Sequence, residues 1–232
     1  MSKEKKSTKR ETVIVFGGSG FLGSHVCDAL ADRGYKVRIF DAKPSSYLRA
    51  GQTMVVGDIL DRKMVFRAVE GCDYVYNFAG IADLDDASTK PLDTVHLNIA
   101  GSINIMDATL KAKAKRYIYA STIYVYSEKG GFYRCSKQAA ELYVEEYQRR
   151  FGLDFTILRY GTLYGPRADA RNSIHRYLIE ALRHGAITCA GSTDSVRDYV
   201  HVSDAATLSV QILASQYSRK HIIISGLHPI KF

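Results

Sequence analysis

The chain has 232 residues, 46% of them hydrophobic and 24% charged, the balance of a globular protein long enough to bury a full core. No run approaches the roughly 18 consecutive apolar residues of a membrane span, and the polar opening MSKEKKSTKR lacks the apolar segment of a secretory leader. Half of the formal charge of +8 comes from that opening, where Lys3, Lys5, Lys6, Lys9 and Arg10 face Glu4; the modest remainder suits a small anionic ligand better than nucleic acid.

In chain order, TVIVF (12–16) is a β-branched run that meets a glycine cluster, followed by a helical pattern from Phe21 to Arg33 that Gly34 ends. YKVRIF (35–40), TMVV (53–56), DYVYNF (73–78), RYIYA (116–120), DFTILR (154–159) and HIII (221–224) read as further short buried strands. Helical patterns lie between them near 60–70, 92–112, 133–151, 173–184 and 203–215. Strands alternating with helices predict βαβ units, hence an α/β fold with a doubly wound, Rossmann-like parallel sheet covered on both faces. The four cysteines, Cys27, Cys72, Cys135 and Cys189, are widely spaced, which fits neither a zinc site nor a disulfide framework and predicts a reducing, cytoplasmic setting. The histidines show no metal-ligand spacing, so no metal is expected. His25 and His96 read as surface or capping residues, and Cys135 as a small helix filler.

FGGSGFLGSH places Gly17, Gly20 and Gly23 as G-x-x-G-x-x-G directly after a strand and at the start of a helix. In that context each glycine has a physical reason. The first permits a tight turn, the second lets backbone N–H groups approach a pyrophosphate, and the third allows close helix-to-strand packing. Asp41, 18 residues after Gly23 at the end of the second strand, is placed to accept the ribose hydroxyls of an adenosine. Its charge would repel a 2′-phosphate, so NAD is favoured over NADP, with Lys43 offsetting part of that preference. Asp58, after the third strand, is placed for the adenine edge or for a helix cap.

Through these and further motifs the chain resembles the NAD-dependent epimerase/dehydratase family of the extended short-chain dehydrogenase/reductase superfamily. The resemblance runs over roughly residues 11–232 and rests on GGSGFLG (17–23), GDIL (57–60), NFAG (77–80), Leu97-Asn98, STIYVY (121–126), YRCSK (133–137), RYGTLYGPR (159–167) and RDYVHVSDAA (197–206). It implies an NAD-binding Rossmann domain over 11–160 after a disordered basic tail over 1–10. A shortened substrate lobe over 161–232 would follow, with one strand returning to the core sheet. It further implies cofactor contacts from Gly17, Gly20, Phe21, Leu22, Gly23, Asp41, Asp58, Ile59, Phe78, Ala79, Gly80, Asn98, Tyr133 and Lys137. Thr122, Tyr133 and Lys137 would be catalytic, and Asp83, Thr162 and Arg197 would meet substrate, Arg197 at its diphosphate. By the same resemblance the helices near 92–112 and 133–150 would pair two subunits into a homodimer.

Tyr133 also stands out on spacing, since Tyr133 and Lys137 are i and i+4 and share one helix face. A tyrosine with an ordinary pKa of about 10 needs a shift of about 3 units, roughly 4 kcal/mol, to act as a base near neutrality. A nearby ammonium and the positive nicotinamide ring of NAD could supply it. The two residues after Thr122 are Ile123 and Tyr124, where dehydrating relatives carry an Asp-Glu pair, decarboxylating relatives a glutamate and 3,5-epimerising relatives a cysteine. Hydride chemistry at one carbinol carbon remains, and the expected activity is that of a sugar-nucleotide epimerase. The alternatives are a dehydrogenase or reductase that releases its product and a non-catalytic NAD-binding scaffold. The chain departs from the family pattern in the six residues between Tyr126 and Tyr133, in Thr162 at a position usually held by asparagine, and in the short lobe that ends at Phe232. Tyr126 is expected to be a packing residue, and Asp83, Asp85 and Asp86 a solvated loop.

Overall fold

The computed structural model describes residues 10–188 and 196–231, apart from the side chains of 84–86. Residues 1–9 of the expected tail, Cys189 and the terminal Phe232 therefore lie outside the described residues. In chain order the elements are β1 (Thr12–Phe16), α1 (Phe21–Asp32), β2 (Lys36–Asp41), β3 (Gln52–Val56), α2 (Arg62–Val69), β4 (Tyr74–Asn77), α3 (Leu84–Thr89) and α4 (Pro91–Thr94). A π-helical stretch, Val95–Ala100, leads into α5 (Gly101–Lys111), β5 (Arg116–Thr122), a 3-10 turn (Ile123–Tyr126) and α6 (Gly131–Phe151). The chain closes with β6 (Phe155–Tyr160), β7 (Thr162–Tyr164), α7 (Ser173–His184), β8 (Val196–His201), α8 (Val202–Gln211), β9 (Lys220–Ile224) and β10 (Pro229–Lys231).

Seven strands form one sheet in the order β3-β2-β1-β4-β5-β6-β9, and every neighbouring pair is parallel. Such a sheet must be covered on both faces, and the side-chain alternation of each strand supplies both. Val13, Val15, Ile39, Tyr76, Ile118 and Leu158 face one core, which includes Val26 and Leu30 of α1 and Ala205 and Val210 of α8. Ile14, Phe16, Phe40, Val75, Tyr117, Tyr119 and Ile157 face the other, with Val65 of α2, Ile105 of α5 and Val144 of α6. Two buried tyrosines find partners for their hydroxyls at one serine: Tyr76 donates to the Ser209 carbonyl at 2.7 Å and Tyr160 lies 2.6 Å from Ser209 Oγ. The expected doubly wound fold is thus the observed one. The strand order reverses between β1 and β4, which opens a crevice at the carboxyl ends of these strands.

A smaller sheet, β10-β8-β7, accompanies the main one. β7 runs parallel to β8 and β10 antiparallel to it. β7 and β8 do not belong to the expected set, whereas β9 does return to the core sheet. Two contacts lash the segment after β7 to α1: Arg167 Nη2 meets Asp28 Oδ2 at 2.7 Å, and His25 Nε2 lies 3.0 Å from the Pro166 carbonyl. His25 therefore bridges two parts of the fold instead of merely lying on the surface, and desolvation lowers its pKa. The helix expected over 92–112 is broken into α4, the π-helical stretch and α5, and residues 84–89 form a short helix where a loop was expected.

Candidate active site

The crevice begins where β1 ends. Gly17 has φ 76°, and a side chain there would meet the Phe78–Ala79 peptide at 2.7 Å, so the turn after β1 lies against the turn after β4. A Cβ on Gly23 would stand 2.2 Å from the Gly17 carbonyl oxygen, which lets α1 begin tight against the loop. Asp41 reaches back from the end of β2: its Oδ2 accepts from Ser19 N at 3.0 Å and its Oδ1 from Lys43 N at 3.1 Å. Ser19 Oγ donates to the Lys43 carbonyl at 2.8 Å. The glycine loop and the end of β2 are thereby held as one rim, with Phe21 and Leu22 half-buried in the first turn of α1. A glycine-rich backbone at a strand-to-helix turn, a helix N-terminus and an adjacent carboxylate fit the dinucleotide that the motif calls for.

The other expected cofactor contacts have local work as well. Asp58 Oδ1 accepts from Leu60 N at 2.9 Å, while the cap of α2 is Asp61, whose Oδ1 accepts from Met64 N at 3.0 Å. The Ile59 side chain is buried and fills the space beside Gly101, and its carbonyl accepts from Asn104 Nδ2 at 3.0 Å. Phe78 stacks on Tyr76 with ring centroids 5.9 Å apart, and Ala79 N donates to Asn77 Oδ1 at 3.0 Å. Gly80 has φ 135°, and a Cβ there would lie 2.2 Å from Asn98 Oδ1. Asn98 is fully buried. Its Nδ2 donates to the Ile81 carbonyl at 3.0 Å and to Ser136 Oγ at 2.8 Å, and its Oδ1 accepts from Ile81 N at 2.8 Å. Both amide protons are used, so Asn98 is the clasp that ties the loop after β4 to α6.

Thr122 is the last residue of β5, and Tyr133 and Lys137 lie on successive turns of α6. Thr122 is buried and hydrogen-bonded to the half-buried Tyr133 through their side chains. Lys137, also buried, donates from Nζ to the Ala120 carbonyl at 2.7 Å, and Nζ lies 5.8 Å from the centroid of the Tyr133 ring. All three side chains therefore converge at the carboxyl end of β5. Desolvation pushes the Tyr133 hydroxyl up to about 12, against the opposing pull of the Thr122 hydrogen bond. Desolvation lowers the Lys137 ammonium to about 8, with the Glu141 carboxylate acting in the opposite direction. The chain alone thus holds a protonated phenol beside a lysine that is still mostly cationic at neutral pH.

Around this trio the structure places side chains that the motifs do not single out. Glu141, one turn beyond Lys137, forms a forked pair with Arg159: Nε to Oε1 at 3.1 Å and Nη2 to Oε2 at 2.5 Å. Arg159 also hydrogen-bonds the Tyr126 hydroxyl and lies 4.8 Å from that ring's centroid. Tyr126, expected as a packing residue, packs against this arginine at the surface, where it is 61% exposed. Cys135, expected as a filler, is exposed. Thr162 pairs with Tyr199 across β7 and β8, and the Asp83 carbonyl accepts from Ala87 N at 3.0 Å at the start of α3. Arg197 on β8 reaches the turn after Thr122, its Nη1 donating to the Tyr124 hydroxyl at 3.0 Å.

A family model described as the NAD dependent epimerase/dehydratase family matches residues 13–225. The chain is 28% identical over 245 aligned positions to a UDP-N-acetyl-alpha-D-glucosaminuronate decarboxylase of Bacillus cytotoxicus, covering 94% of this chain and 75% of that protein. It is 28% identical over 235 positions to a UDP-glucose 4-epimerase of Azospirillum brasilense, covering 87% and 68% respectively. Among solved structures, the UDP-glucose 4-epimerase of Thermotoga maritima with UDP-glucose superposes with a TM-score of 0.87 at 27% identity, over 95% of this chain and 78% of that one. A match spanning nearly the whole chain, on a fold whose crevice suits a dinucleotide, settles the family: the chain belongs to the NAD dependent epimerase/dehydratase family.

Proposed function

We propose that this protein is an NAD-dependent sugar-nucleotide epimerase acting at one carbinol carbon. The observation that carries the reading is the convergence of Thr122, Tyr133 and Lys137 at the end of β5, beside the glycine-loop crevice, with no acid-base pair following Thr122. Its relatives include 4-epimerases of UDP-sugars. When bound, NAD supplies the hydride acceptor and donor and a positive ring beside the phenol. Tyr133 takes the proton of the reacting hydroxyl and later returns it; the Lys137 ammonium favours the phenolate, and Thr122 orients the sugar oxygen. Arg197, Thr162 and Asp83 would hold the substrate, and residues 161–232 would form the smaller substrate lobe against the cofactor domain of 11–160.

The test is turnover of a panel of nucleotide sugars by the NAD-loaded protein and by Tyr133→Phe. The variant is expected to keep its fold and NAD affinity and lose about 10²–10⁴-fold in kcat. Equal turnover by both proteins would sink the assignment. The alternative dehydrogenase uses the same residues and differs in releasing reduced cofactor.

We further infer a homodimer. An apolar groove of about 460 Å³ between α4, the π-helical stretch and α6 is lined by Leu92, Val95, Phe132 and Cys135, and Leu92 is 63% exposed. A second copy covering this groove removes that surface from water. Light scattering that shows a monomer at working concentration would overturn it. A cytoplasmic setting is consistent with the described cysteines, Cys27, Cys72 and Cys135, being free. Among the described residues no helix is long and apolar enough to cross a membrane.

A further inference from the structure

Tyr124 occupies the turn between Thr122 and the helix that carries Tyr133, and every part of it is held. Its N–H donates to Thr122 Oγ1 at 3.3 Å. Its carbonyl accepts from Ser127 N at 3.0 Å and Ser127 Oγ at 3.2 Å. Gly130, with φ 97°, makes room for it, since a Cβ there would lie 3.2 Å from both Cβ and Cγ of Tyr124. At the far end of the ring, the hydroxyl accepts from Arg197 Nη1 at 3.0 Å. Arg197 belongs to the small sheet, where it stands opposite Ile230 of β10.

Among the described residues no carboxylate pairs with Arg197. A guanidinium carries five donors in a rigid plane, and one neutral acceptor fixes that plane while leaving its charge and the remaining donors available. A carboxylate in the place of Tyr124 would neutralise the cation; an aliphatic residue would leave the long side chain free to swing. A phenol does neither. The ring is also a rigid spacer between the turn that holds the reacting hydroxyl and the cation that would hold an anion.

We propose that Tyr124 is a positioning residue: it sets the Arg197 guanidinium to receive the diphosphate of the substrate at a fixed distance from Thr122 and Tyr133. This rests on the reading of the site as one for nucleotide sugars.

The experiment uses NAD-saturated protein and uridine diphosphate as the probe, with calorimetric binding and steady-state kinetics on UDP-hexoses. Four proteins are compared: wild type, Tyr124→Phe, Arg197→Met and the double variant. Tyr124→Phe is expected to weaken uridine diphosphate binding and raise KM by about tenfold, with kcat and NAD affinity held. In the Arg197→Met background the same change is expected to have no further effect, because Tyr124 acts through that arginine. The proposal is overturned if the wild type does not bind uridine diphosphate, if Tyr124→Phe binds it as tightly as wild type, or if the loss is equal in both backgrounds. Wild-type protein that binds the probe with the expected coupling yet converts no sugar would instead reject the epimerase reading and leave the positioning role standing.

Discussion

Replacing Glu141 by glutamine tests whether the pair beneath the active site is as costly to break as its burial implies. The Glu141 and Arg159 side chains are only 7% and 14% exposed, and the fork between them satisfies both carboxylate oxygens. Removing one partner of a buried pair typically costs about 3–5 kcal/mol, because the other charge stays behind without compensation. Arg159 keeps the Tyr126 hydroxyl and ring as partners at the exposed side, so the lower end, about 3 kcal/mol, is expected. For a domain of this size that corresponds to a fall in Tm of roughly 6–12 °C, measured by scanning calorimetry. The variant has a second signature. The Glu141 carboxylate raises the Lys137 pKa against its desolvation, so its loss moves the basic limb of the activity profile to lower pH. Glu141→Gln combined with Arg159→Met should recover much of the stability, since an apolar replacement of the arginine leaves no stranded charge, while the activity limb stays displaced. A single variant within about 1 kcal/mol of wild type would refute the reasoning.

Lys137→Met should abolish turnover and alter the pH dependence of stability in a defined direction. The folded-state pKa of Lys137 is lowered to about 8 from 10.5, so in that interval the unfolded chain binds more protons, and wild-type stability rises with pH relative to the variant. The relative gain is about 3 kcal/mol between pH 8 and 10.5, read from denaturant unfolding; a flat difference across that window would contradict the burial of a charged lysine. Gly23→Ala is expected to cost at least about 1–3 kcal/mol and to weaken NAD binding, because its Cβ would lie 2.2 Å from the Gly17 carbonyl oxygen, a backbone atom with no rotamer to yield. Unchanged Tm and an unchanged cofactor fluorescence titration would show that the start of α1 is looser than described.

The parts of this protein legible from sequence are those governed by local rules. A β-branched run such as Thr12–Phe16 can be little but a buried parallel strand, and the glycine spacing after it carries its own steric reason. The i, i+4 relation of Tyr133 and Lys137 needs only the pitch of a helix. What escaped is non-local. β7 has three residues, too few for periodicity to register, and it exists because β8 is there to pair with it. The break of the 92–112 helix into a π-helical stretch falls where Asn98 turns inward to clasp Ile81 and Ser136, a requirement set by two distant segments. Glu141 and Arg159 are 18 residues apart, and Tyr124 and Arg197 are 73 apart; no spacing rule connects either pair. The elevated pKa of Tyr133 belongs to the same class. The motif implies a base, while burial of the phenol makes the chain by itself favour the protonated form.

Whether hydride returns to the sugar or leaves with the cofactor is decided by following one reaction in two ways at once. Wild-type protein with catalytic NAD is given a UDP-hexose, while sugar composition is resolved by chromatography and reduced cofactor is followed by its near-ultraviolet absorbance. An epimerase converts the sugar to its epimer with no net accumulation of reduced cofactor, and that is the expected result. Reduced cofactor appearing in proportion to sugar consumed would contradict it and make the protein a dehydrogenase.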